Sequence, residues 1–135
     1  MCDNQITMSE LIKYSLEFPI RSSVTILYNR LSSPEGLTEW FADDVAIKDK
    51  MYTFYWDGSE QSAKLQKKEI NQFIRYKWID DISSEGYFEF LIQIDEMTQD
   101  VALIVTDFAE DEDEKEEQTN LWTKQIAQLK RAIGS

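Results

Sequence analysis

The stretch Asp111–Ser135, DEDEKEEQTNLWTKQIAQLKRAIGS, decides the fold. Trp122, Ile126, Leu129 and Ile133 recur at i, i+4, i+7 and i+11, a helical period that stacks them on one apolar face. The carboxylates ahead of them suit the positive end of a helix dipole, and Asp113 with Glu116 has the spacing of a capping box. Lys130, Arg131 and then Gly134 suit the other end. A helix with such a face must lie against a partner surface, and the chain before it is mostly strand.

Outward from the helix, Val101 to Phe108 and Tyr87 to Ile94 read as strands joined by the turn Asp95 to Asp100. A polar loop, Asp80 to Gly86, separates them from Phe73 to Ile79, and a turn at Asn71-Gln72 leads back to Gln61 to Ile70. Asp57-Gly58 predicts a type I′ hairpin between that strand and Met51 to Trp56, and Asp49-Lys50 joins the latter to Val45 to Lys48. Links this short force antiparallel neighbours, because a parallel crossover needs a dozen or more residues. Near the start, Ile12, Tyr14, Leu16, Phe18 and Ile20 alternate with polar residues, a half-buried strand that Pro19 closes. Ser22 or Ser23 caps a helix carrying Val24, Leu27, Tyr28 and Leu31; Ser33-Pro34-Glu35 opens a second, running to about Trp40 or Phe41. The reading is α+β: a curved antiparallel sheet of six or seven strands around a long C-terminal helix, with two short helices after the first strand. Residues 1–8 are expected to form a flexible tail and 9–135 one domain, with Met8 an alternative start to Met1.

The 135 residues are 42% hydrophobic and 13% aromatic, enough to fill one core, and the formal charge is −12. That charge repels phosphate backbones, and no Lys/Arg cluster interrupts it to make a local basic groove, so neither nucleic acid nor an anionic membrane surface is an expected partner. The single cysteine, Cys2, allows no intrachain disulfide. There is no basic-then-apolar leader, and no apolar run approaches the ~20 residues of a membrane helix. A cytoplasmic location without membrane insertion is the expectation.

The chain contains no histidine, which eliminates Ser-His and Cys-His nucleophiles and zinc sites that need imidazole. The four glycines are isolated and make no phosphate loop. Asp111 and Asp113 would fit the first ligand positions of a calcium loop, but Lys115 and Glu116 occupy a ligand position and the sharp-turn glycine position, so an EF-hand is rejected. No metal and no cofactor are expected. The pairs Asp43-Asp44 and Asp80-Asp81 lie at strand ends and read as surface turns. Asp107 shares a strand parity with Val101, Leu103 and Val105 and is the candidate functional acid. With it, Tyr14, Trp40, Phe54, Trp56, Tyr76, Trp78, Phe90 and Trp122 are the candidate walls of a ligand cavity between sheet and helix.

This order of elements is similar to the helix-grip arrangement of the START-like superfamily, also called SRPBCC or birch-pollen-allergen-like. Ser33-Pro34-Glu35-Gly36-Leu37-Thr38-Glu39-Trp40-Phe41 resembles the "t-x-p-e-x-l-x-x-W-f" stretch of the branch named for the activator of the heat-shock chaperone ATPase. Asn120-Leu121-Trp122, with Leu129-Lys130, resembles that branch's "G-W-x-x-x-l-x-x-L-k" helix, and Ile74-Tyr76-Trp78 its "L-v-f-t-W" strand. The likeness spans about Glu10 to Ile133; Leu121 stands where many members have Gly, and Asp107 near where many carry His. Such membership implies a fold and a cavity between sheet and helix but does not choose a function; the aromatic-rich inner face, the absence of catalytic groups and the −12 charge rank three functions in descending order. The first is noncatalytic binding of a lipid or other small hydrophobic ligand. The second is a protein-interaction or co-chaperone-like module acting through the acidic surface. The third is a cyclase or hydratase-type enzyme using Asp107 and a tyrosine.

Overall fold

The structure is a computed structural model that describes residues 11–80 and 86–135. The N-terminal tail with Cys2 and Met8, and most of the loop between Asp80 and Gly86, lie outside the described residues. The order of elements is β1 (Ile12–Ile20), α1 (Val24–Ser32), α2 (Pro34–Leu37), β2 (Asp44–Lys48), β3 (Met51–Trp56), β4 (Ser59–Glu69), β5 (Phe73–Trp78), β6 (Phe88–Ile94), β7 (Val101–Ala109) and α3 (Glu112–Ile133). All seven strands form one antiparallel sheet in the order β1-β7-β6-β5-β4-β3-β2. A six-strand meander thus receives the first strand beside its last, as the helix-grip arrangement requires. Pro19 sits in β1, an edge strand bonded only to β7, where a missing N–H is least harmful.

Helix α3 lays the expected face on the sheet: Trp122, Ile126 and Leu129 are buried and Ile133 packs at the margin. Its start lies two residues earlier than the Asp113/Glu116 reading. Asp111 is the N-cap, its Oδ1 accepting the Glu114 N–H at 2.8 Å, while Glu114 Oε1 accepts the Glu110 N–H at 2.7 Å. The sequence offers two aspartates for the cap, and the first after β7 takes the position. At the other end Gly134 (φ 76°) adopts the left-handed conformation, and the Ser135 N–H reaches back to the Lys130 carbonyl.

Two local expectations are corrected. Asp57-Gly58 links β3 to β4, but only Gly58 (φ 84°) has positive φ, so the turn is not type I′. Leaving Asp57 outside the left-handed region avoids the steric penalty a side chain meets there. Helix α2 stops at Leu37, because Thr38 to Phe41 wind into turns bonded to Pro34, Gly36 and Leu37 carbonyls and carry Trp40 and Phe41 into the core.

Helix α1 buries Leu27, Tyr28 and Leu31, with Ser23 as its cap. Its last four carbonyls have no helical partner. Each finds one elsewhere: Asn29 accepts the Ser33 N–H, Arg30 the Trp40 indole, Leu31 the Tyr76 hydroxyl and Ser32 the Tyr52 hydroxyl, all at 2.8–3.0 Å. Aromatic side chains from α2's following turn, β5 and β3 therefore fasten α1 across the inner face of the sheet.

This docking leaves no room at Gly36. A Cβ there would collide with the Asn29 carbonyl oxygen and sit 2.7 Å from the Arg30 Cα, both backbone atoms of α1. Gly36→Ala is expected to destabilise the protein by about 1–3 kcal/mol through overpacking. Urea denaturation would show it as a lowered midpoint; an unchanged midpoint would mean that α1 and α2 are not held this closely.

Candidate functional site

Inner-face side chains of β3, β5 and β6 bring Tyr52, Phe54, Tyr76, Phe88 and Phe90 together under the helices. Phe41, delivered by the turn after α2, is their centre. It stacks on Trp122 (5.9 Å between ring centroids, 20° between planes) and on Phe88, and meets Phe54, Trp56 and Phe90 edge-on. Its carbonyl accepts the Trp56 indole N–H at 2.8 Å and the Gln125 amide at 3.3 Å, which ties β3 and α3 to one point.

Beside this aromatic packing lies a cavity of about 440 Å³ lined by residues of both the sheet and α3. Phe41, Trp56, Trp78 and Trp122 form its apolar walls; Gln61, Gln118 and Gln125 supply amides; Leu121 stands at the rim, 57% exposed. Asp107 closes one side. Gln61, Trp78, Asp107 and Gln118 also border a second concavity of about 430 Å³, whose walls include Asp80, Glu110 and Glu114, so the aromatic cavity adjoins an acidic mouth. A larger hollow of about 620 Å³ lies at the β2–β3 turn and is lined by exposed lysines together with Ile47, Met51 and smaller side chains.

Asp107 and Trp122 act as a unit. The indole N–H donates to Asp107 Oδ2 at 3.0 Å, and Oδ1 accepts the Phe108 N–H at 2.7 Å. Register places Tyr14 directly opposite Asp107, and the Tyr14 hydroxyl donates to Gln118 Oε1 on α3. Burial pushes the Tyr14 hydroxyl far above its ordinary value; the charges of Asp107 and Glu114 add to the shift, and the Trp122 indole partly offsets it. Tyr14 is therefore a proton-holding hydrogen-bond donor at any neutral pH.

Of the residues singled out in the sequence, the structure brings Trp56, Trp78, Asp107 and Trp122 to the cavity wall. It places Tyr14, Trp40, Phe54, Tyr76 and Phe90 in the buried core instead, where Trp40 and Tyr76 cap α1 and Tyr14 braces α3. Phe41, Gln61, Gln118, Leu121 and Gln125 were missed. Gln61 carries no sequence signal of its place, whereas Gln118 and Gln125, four residues before and three after Trp122, share its helix face and could have been found from it. Chemically the site offers apolar faces, amides and one carboxylate that already accepts two N–H groups. Among the described residues no group of three metal-ligating side chains is assembled.

Four tyrosines have raised hydroxyls: Tyr14, Tyr28, Tyr52 and Tyr76, each first through burial. The folded state thus holds these protons more tightly than the unfolded chain, whose tyrosines titrate near 10.0. Stability is fully present below pH ~10 and falls as pH rises through and beyond that value. Ultraviolet titration is expected to show these four ionising in one cooperative step together with unfolding; gradual ionisation with the fold intact would contradict their burial.

The START-like superfamily domain model matches residues 8–135. The Bacteroides fragilis protein BfR322, solved by solution NMR, is 35% identical over 90% of each chain, with a TM-score of 0.66. The Aha1 dimer from Colwellia psychrerythraea is 17% identical, with 90% of this chain and 96% of that one covered and a TM-score of 0.77. ChR145 from Cytophaga hutchinsonii is 14% identical over 89% and 92%, at 0.70. The last two show a shared fold. No curated protein matches. With a family match across residues 8–135 and a seven-stranded antiparallel sheet gripping one long C-terminal helix, the chain belongs to the START-like superfamily.

Proposed function

We propose that residues 9–135 act as one noncatalytic START-like domain that binds a small hydrophobic ligand in the cavity beside Trp122, in a cytoplasmic setting. The observation that carries this reading is the cavity's composition: three indoles and a phenyl ring around about 440 Å³, with three amides and one carboxylate. That volume lies within the ~300–1,000 Å³ of small-molecule sites, and convergent polar groups among apolar walls are their usual chemistry. The aromatic walls and the amides favour a ring-containing molecule with one or two hydrogen-bonding groups. The third function, a cyclase or hydratase, has weaker support, since both Asp107 oxygens already accept N–H groups.

Native mass spectrometry and solvent extraction of gently purified protein test the proposal, with anilinonaphthalene sulfonate as a probe. An extractable ligand, or saturable probe uptake, is the expected result. Leu121 is exposed at the rim, so Leu121→Ala is expected to leave stability within about 0.5 kcal/mol of the parent. It should nevertheless weaken probe binding about three- to tenfold, by the contact area lost. No ligand, no uptake and no effect of Leu121→Ala would end the proposal.

A second reading, a protein-interaction or co-chaperone-like module, draws on the acidic start of α3, where Glu112, Asp113, Glu116 and Glu117 are all exposed. A partner held there should be retained in pull-downs at low salt and released as the Debye length shrinks from ~10 Å at 0.1 M to ~3 Å at 1 M. Salt-insensitive capture, or none, would count against it.

A further inference from the structure

Lysine and arginine side chains lie over tyrosine and phenylalanine rings in this protein, while its indoles are left to other contacts. The Arg75 guanidinium carbon is 4.0 Å from the Tyr87 ring centroid and the Lys13 ammonium 5.9 Å from it; Lys115 lies over Tyr14 and Lys67 over Phe73. Among the described residues no such cation lies over Trp56, Trp78 or Trp122. Indole is nevertheless the ring that attracts a cation most strongly. These three indoles, with Phe41, wall the cavity beside α3.

The charge around them has one sign. Among the described residues no lysine or arginine lines the cavity or its mouth, whereas Asp80, Asp107, Glu110 and Glu114 border them. Residues 1–10 and 81–85 contain no lysine or arginine either. Strand parity turns the nearby basic residues away: Tyr14 and Tyr76 are buried on the inner face, so Lys13, Arg75 and Lys77, next to them in sequence, project from the outer face. The Trp122 indole and the Phe108 N–H, both bonded to Asp107, are neutral donors that orient its charge without cancelling it. A cleft of one charge sign between apolar walls focuses its potential and concentrates ions of the opposite sign.

We propose that the ligand of this cavity is an organic cation, a ring-bearing ammonium ion. The inference rests on the reading of this cavity as a ligand site. The apolar ring and the charged nitrogen lie among the indoles, Asp107 and the carboxylates of the mouth supply the counter-charge, and the amide oxygens of the cavity glutamines are further acceptors for its N–H groups. A carboxylate or phosphate fits less well, because it would stand beside Asp107 with no lysine or arginine lining the site among the described residues. A bare metal ion fits less well too, since no three metal-ligating side chains come together among the described residues.

The test compares three ligands with one ring system, 1-naphthylmethylammonium, 1-naphthalenemethanol and 1-naphthoate, by calorimetry at pH 7 and 0.1 M salt. Indole N–H signals are followed in parallel by NMR. The ammonium is expected to bind at least about tenfold tighter than the alcohol, with naphthoate weakest and the Trp56, Trp78 and Trp122 signals shifting as the site fills. Anilinonaphthalene sulfonate, an anion that reports the apolar walls, should saturate at higher concentration than the ammonium. The exposed mouth residues give the matching variant: Asp80→Asn with Glu110→Gln should weaken ammonium binding at least about threefold and leave the alcohol within about twofold, which also shows the fold intact. Asp113→Asn with Glu116→Gln, an equal charge change at a separate hollow on α3, should leave ammonium binding within about 1.5-fold. Alcohol or naphthoate binding as tight as that of the ammonium would overturn the inference and leave the cavity reading standing. Equal loss from the two variant pairs, or ammonium binding that moves none of the three indole signals, would also overturn it, by assigning the attraction to overall charge. Failure of all three ligands and of anilinonaphthalene sulfonate to bind would end the cavity reading and the inference together.

Discussion

Four carbonyls at the end of α1 set the terms for the rest of the molecule. A helix that ends inside a protein must place its last C=O groups against donors, because burying them bare costs about 1–3 kcal/mol each. Here the donors for three of them are Trp40, Tyr52 and Tyr76, large side chains whose rings must then fill the space between α1 and the sheet. Tyr76 contacts Tyr52, Phe54, Phe88 and Phe90, so the capping bonds fix the orientation of much of the aromatic core. Tyr28 is the exception, a buried hydroxyl with no partner among the described residues.

A core filled from that end leaves its free volume at the other. Phe41 carries the packing as far as Trp122, and beyond this pair the cavity begins. One face of Trp122 is core and the other is cavity wall, with its indole fixed by Asp107, itself held by the backbone of β7. Sequence alone poses Trp122 as either core or wall. The structure makes it the boundary, with Phe41, Phe88 and Phe90 on one side and the amides of Gln118 and Gln125 on the other.

Periodicity made the architecture legible. The spacing of Trp122, Ile126 and Leu129, the alternation from Ile12 to Ile20 and the caps at Ser23 and Ser33 are local consequences of local geometry, and all are seen. The division of the aromatics was not legible, because it depends on which indole and hydroxyl groups find carbonyls on α1. Nor was the placing of Lys64 opposite Lys77, which exists only through register; a one-residue slip would turn Lys64 inward. Sequence parity even changes within β4, where an irregularity between Leu65 and Lys67 leaves Gln66 without a partner in the ladder. The resemblance to START-like proteins supplied the topology, but it could not say how much of the space under the helix this chain's own aromatics fill.

The most direct test of that division is an NMR titration of the four tryptophan indole N–H signals with anilinonaphthalene sulfonate. Trp56, Trp78 and Trp122 line the cavity, whereas Trp40 is buried against α1 with its N–H on the Arg30 carbonyl. The account predicts saturable shifts at Trp56, Trp78 and Trp122, with the Trp40 signal unmoved and slow to exchange with solvent. Shifts at Trp40 as large as those at Trp122, or no shift at any of the four, would contradict it.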